Sequence, residues 1–254
     1  MVPPDMNPIV SWLFALMVAF APPDKTSKAF QYPGHEETAE QKTARYQAIA
    51  QDLYDVAYDP DVEPVYAGPK GRRRTALLMI AIAFHESGFA HDVDIGPCYL
   101  GKDGTSSRCD HGRSACVMQL HIGAGTTPEG YTQAELFADR KKCFRAALAR
   151  IRSSMGECKH LDERHRLNAY ASGVCTRGDE QSEELSALVD KFGAKVAPPP
   201  EDDSVYMNGA TAAPKTDEPK KDAPKKDKPV ENPKADKPRA QARPNRSRSV
   251  SVAR

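Results

Sequence analysis

No run in this 254-residue sequence is long enough to cross a bilayer comfortably. The longest apolar stretch, residues 9–21, falls short of the roughly 20 residues a spanning helix needs. Cys-x-x-Cys is absent, which argues against a thiolate zinc site. His85-Glu86 begins like the zinc-protease helix His-Glu-x-x-His, but Phe89 stands where the second histidine must be, and an apolar ring cannot bind metal. The remaining histidines show no paired spacing. A phosphate-binding glycine loop is also missing, since Gly101-Lys102-Asp103-Gly104-Thr105 lacks the spacing and opens no apolar helix. No internal repeat is visible. These absences leave no metal and no small-molecule cofactor to expect.

The two ends of the chain differ from its middle. Residues 1–30 carry the apolar run, whose length suits the hydrophobic region of a secretory signal, with Ala19-Phe20-Ala21 resembling a cleavage site. No Lys or Arg precedes it, Asp5 stands there instead, and Pro22 would follow the cut. An uncleaved anchor and a helix packed on the domain are the rival readings. From Pro198 the chain is Pro, Lys, Asp and Ala with almost no large apolar side chains, too little to offset the entropy of ordering, so residues 198–254 are expected to be disordered. Residues 238–254 carry basic charge only. Such a tail suits an anionic partner (wall polymer, membrane surface or nucleic acid) or serves as a solubilising linker. The formal net charge of +1 therefore averages an acidic body with a basic tail.

Between the ends, residues 31–197 read as one helical domain. Thr38-Ala39-Glu40-Gln41 has the pattern of a capping box, followed by Tyr46, Ile49, Ala50, Leu53, Val56 and Ala57 at helical spacing. A second box at Thr132-Gln133-Ala134-Glu135 opens a helix whose Leu136, Phe144, Ala147, Leu148 and Ile151 share a core stripe. Further helices are predicted over 74–87, 114–122, 161–171 and 183–192, with a loop over 96–112 and a short strand near Val93. Cys98, Cys109, Cys116, Cys143, Cys158 and Cys175 all lie in this domain. An even count suits disulfides in an oxidising, exported compartment, against the alternative of reduced buried thiols. Spacing suggests Cys98 with Cys109 and Cys158 with Cys175, without fixing the pairing.

Glu86 is the most informative residue. It follows the strongly apolar helical run 75–85 and precedes Ser87-Gly88. An acid held against an apolar wall is penalised when it ionises, which keeps a proton available for donation near neutral pH. Gly88 can stop the helix in a left-handed conformation and leave Glu86 at the lip of a cleft. The bland alternative is an ordinary charged helix end.

Two further segments, Ala115-Cys116-Val117-Met118-Gln119-Leu120 and Ala169-Tyr170-Ala171-Ser172-Gly173, follow Glu86-Ser87 in order. Together the three resemble the lytic transglycosylase family of the lysozyme-like superfamily, over about residues 74–193. The family's signature is Glu-Ser, then Gly-Leu-Met-Gln, then Ala-Tyr-Asn-Ala-Gly. Cys116 stands at the usual glycine and Ala171 at the usual asparagine. The resemblance implies a mainly α, lysozyme-like domain with a short β element. It also implies cleavage of the β-1,4 bond between N-acetylmuramic acid and N-acetylglucosamine in peptidoglycan. Glu86 would be the catalytic acid and then the base that closes a 1,6-anhydro ring. Met118, Gln119 and Tyr170 would line the cleft and contact the glycan, and Ser87 would bond the glycan or orient Glu86, the plain alternative being a helix-end serine bonded to its own backbone. A hydrolytic muramidase would need a second carboxylate. Asp92 and Asp94 are the candidates, although Asp-Val-Asp-Ile also reads as a strand with a solvated polar face. A non-catalytic wall-binding or virion component on the same scaffold is the third reading.

Overall fold

The computed structural model describes residues 6–25, 36–96, 109–110, 112–123 and 125–199. Cys98, most of the 96–112 loop and the tail beyond residue 199 lie outside the described residues. Among the described residues, eight α-helices account for most of the structure: α1 (Pro8–Phe20), α2 (Ala39–Ala57), α3 (Gly71–Ser87), α4 (His91–Ile95), α5 (Gln133–Ala138), α6 (Arg140–Glu157), α7 (Asn168–Ser172) and α8 (Asp179–Lys195). One antiparallel pair, β1 (Ser114–Ala115) with β2 (Leu120–His121), is the only sheet among the described residues.

Helix α3 is the centre of the fold. Thr75, Ala76 and the run Leu78 to Ala83 are all buried, because α1, α2 and α8 pack around it. A helix apolar on every side is stable only when enclosed in this way. Both capping boxes form: Thr38 accepts from the Gln41 N–H while the Gln41 side chain accepts from the Thr38 N–H, and Thr132 and Glu135 do the same. The stripe read on α2 is the buried one.

The apolar N-terminal run is α1, a helix packed on the domain. Asn7 caps it, accepting from the Ile9 N–H at 2.8 Å. Its Leu13, Leu16 and Met17 are fully buried against neighbouring helices. The Trp12 indole donates to the Val196 carbonyl at 3.1 Å. Phe20 stacks on Phe192 with centroids 3.7 Å apart and meets the edge of Phe84 at 5.7 Å. Among the described residues no helix is long and apolar enough to cross a membrane.

Four local expectations need correction. Residues 114–122 form the β hairpin rather than a helix, because Cys116 and Gln119 both adopt positive φ (60° and 45°), which ends any helical run. The expected strand near Val93 is α4, and its two aspartates are buried rather than solvated. The helix expected from Thr132 through Ile151 is two: Asp139 turns extended, ends α5, and recaps α6 by accepting from the N–H groups of Lys141 and Lys142. The helix predicted over 161–171 divides into a 3₁₀ turn (Glu163–His165) and α7.

Two disulfides anchor the hairpin and the α7 loop to one helix. Cys116 is bonded to Cys143 near the start of α6, and Cys158, at its end, to Cys175 beyond α7. The second is the pair suggested by spacing. Cys109 is also disulfide-bonded, so the described cysteines are not reduced thiols. The suggested pairing with Cys98 lies outside the described residues.

Candidate functional site

Three segments converge on Glu86. The first is the end of α3. Gly88 takes φ 56°, and its N–H donates to the Phe84 carbonyl at 2.7 Å, stopping the helix as its sequence suggests. Phe89 follows with φ 54°, a conformation unfavourable for a side chain. Complete burial against Tyr46 and Phe84 holds it there, and its carbonyl accepts from Arg45 at 2.9 Å. The Ser87 hydroxyl donates to the Ala83 carbonyl (2.6 Å) and accepts from the Phe89 N–H (3.1 Å). Ser87 is thus bonded to the main chain, one of the roles its sequence offered, and it shapes the turn that carries Glu86.

The second segment is the turn of the β hairpin. The Gln119 amide donates to the Cys116 carbonyl (3.2 Å) and to Cys109 Sγ (3.3 Å), which leaves its carbonyl oxygen as an acceptor. Met118 is buried. The third segment is α7, where the Tyr170 hydroxyl donates to the Met118 carbonyl over a long 3.4 Å and joins the two motifs directly. The Tyr170 N–H donates to Ser154 on α6, which in turn donates to the Arg166 carbonyl. Burial, and next the nearby Glu86 carboxylate, push the Tyr170 phenol far above its ordinary range, so it stays a proton-bearing donor.

Glu86, Met118, Gln119 and Tyr170 line one cleft of about 490 Å³. Glu86 also lines a second cavity of about 720 Å³ with Phe84, His85, Glu184, Leu188 and Lys191. Its carboxylate thus borders recesses on two sides while its side chain remains 28% exposed, neither buried nor in bulk solvent.

Asp92 and Asp94 do not line either cavity. Asp94 is fully buried and receives Arg140 in a two-point contact (2.6 and 2.8 Å) and Arg45 at 3.4 Å. A carboxylate clamped by two guanidinium groups holds the fold and cannot activate water. The sequence reading missed the carboxylate that does share the Glu86 cleft, Asp110, which pairs with Arg113 (3.0 Å) and sits 3.6 Å from His121. It missed Arg150 in the same wall as well. Neither belongs to a recognisable local motif, so only the fold reveals them. Among the described residues, no group of three or more His, Cys, Asp or Glu side chains could hold a metal.

His85 stands between two carboxylates, 3.6 Å from Glu86 and 3.5 Å from Glu184. Pairing with Glu86, and to a smaller extent with Glu184, outweighs burial and raises its pKa above 6.5. His165 is raised in the same way by Asp162 and then Glu183. A histidine raised by folding contributes stability that is complete below its unfolded value and is lost as pH climbs through the folded value. The urea midpoint should therefore fall as pH rises above 6.5. His85→Gln should remove part of that fall, and the double variant with His165→Gln most of it. An undiminished fall in the double variant would place its origin elsewhere.

Comparison with family models, curated proteins and solved structures finds no match to this chain.

Proposed function

We propose that the protein cleaves the β-1,4 bond between N-acetylmuramic acid and N-acetylglucosamine in peptidoglycan, on a lysozyme-like helical domain. The observation that carries this reading is the position of Glu86. The one acid that ends the apolar central helix borders cavities on two sides, in a wall shared with Gln119 and Tyr170. A polymer lying across both cavities would bring a glycosidic oxygen to that carboxyl. The left-handed conformation of Cys116 adds support, since the resemblance places a glycine there, the residue that adopts positive φ most easily.

Glu86 protonates the leaving oxygen as the bond breaks and an oxocarbenium-like centre forms on the muramoyl sugar. The same carboxylate then removes the proton of that sugar's 6-hydroxyl, whose oxygen attacks the anomeric carbon and closes a 1,6-anhydro ring. Tyr170 supplies an O–H whose long contact with Met118 is readily exchanged for substrate, and Gln119 offers its carbonyl oxygen. Two disulfides fit an exported protein working in an oxidising compartment such as the cell envelope.

Hydrolysis is the second reading, and Asp110 in the cleft favours it as the base that activates water. Mass spectrometry of purified sacculi digested by the protein separates the two. Anhydromuramoyl ends are expected. Reducing muramic acid ends that disappear in Asp110→Asn would establish the hydrolase instead. Sedimentation with sacculi in the absence of soluble fragments would leave a wall-binding module.

A further inference from the structure

Helix α6 carries four arginines, and three of them meet carboxylates from elsewhere in the fold. Arg140 pairs with Asp94 and Asp52, Arg145 with Asp59, and Arg152 with Glu63. Arg150 alone has no ion pair or hydrogen bond among the described residues, and it is the one that lines the Glu86 cleft. It is half-buried, and its charge acts on the Tyr170 phenol. The other charged groups of that cleft do not satisfy it: Asp110 is engaged by Arg113 and His121, and Glu86 faces His85. A guanidinium partly withdrawn from water and left without a counter-charge is costly, and its planar fork of donors matches a carboxylate in two-point contact.

We infer that Arg150 determines specificity by binding a carboxylate borne by the muramoyl sugar, so that the cleft favours muramoyl glycans over neutral chitin-type chains. This rests on the glycan-cleaving reading of the same site. The carboxylate has two sources: the free lactyl group of a strand stripped of peptide, or a carboxylate of an attached peptide. Either would lie beside the scissile bond, within reach of the residue that shares a wall with Glu86.

Equilibrium binding in a Glu86→Gln background, where turnover does not interfere, tests the assignment with three ligands: a peptide-free muramoyl tetrasaccharide, its peptide-bearing form, and neutral chitotetraose. Adding Arg150→Gln should weaken binding of at least one acidic ligand about tenfold and leave chitotetraose unchanged. Arg150→Lys should restore part of the loss, and salt should weaken the acidic ligand selectively. Whichever acidic ligand responds identifies the source of the carboxylate. Equal loss for acidic and neutral ligands, or no loss, overturns the assignment even if the wild type digests sacculi. Selective loss in a protein that digests nothing would keep Arg150 as a binding determinant and sink catalysis by Glu86. No binding of any ligand would sink both.

Discussion

Glu86→Gln should slow release of soluble fragments from sacculi by about a thousandfold, the middle of the range for removing a general acid. The amide keeps the shape of the side chain and cannot deliver a proton as an acid. Because Glu86 is partly exposed and lies outside the core, circular dichroism should stay close to wild type, and melting should fall only by the lost pairing with His85. Binding to sacculi should persist, since the cleft walls are contributed by the hairpin and α7. A variant that binds, folds and clears sacculi at the wild-type rate would end the enzymatic proposal. A variant that fails to fold would be resolved with Glu86→Asp, which shortens the acid while keeping its chemistry and should retain measurable turnover.

Asp94→Asn should lower unfolding free energy by about 3 kcal/mol, the low end for breaking a buried ion pair. The loss falls at the low end because both guanidinium groups keep other partners: Arg45 holds Glu37 at 2.6 Å, and Arg140 holds Asp52 at 3.3 Å. Even so, this is a large fraction of the roughly 5–15 kcal/mol that keeps a domain folded. Arg45 also holds the Phe89 carbonyl, so the loss should be felt at the turn after Glu86. Urea unfolding gives the stability change, and turnover per folded molecule separates it from chemistry. If Asp94 were a catalytic base, turnover would collapse while stability held. A change under about 0.5 kcal/mol would mean that the network contributes no more than an ordinary surface contact.

The parts of the fold set by local chemistry were legible in the sequence. Thr38 and Thr132 with their partners three residues on marked helix starts, and Gly88 marked a helix end, because caps depend on neighbours within one turn. The buried stripe of α2 was readable for the same reason. The hairpin was not, since Ala-Cys-Val-Met-Gln-Leu has helical composition and its backbone is bent by positive φ at Cys116 and by a bond to Cys143, 27 residues away. Asp94 was misread because its partners, Arg45 and Arg140, come from distant parts of the chain; an aspartate looks solvated until the opposing guanidinium groups are known. Motif order pointed to Glu86, Met118, Gln119 and Tyr170, which share one cleft, and Arg150 and Asp110 join them through packing alone.

Both sulfur links described above terminate on α6, and each restrains a wall of the groove rather than the helix that bears the acid. Where thiols stay reduced, α3 would keep Glu86 on its buried rod while the two walls opposite it lose their tethers. The shape of that recess is therefore conditional on sulfur oxidation, whereas the packing around α3 is not.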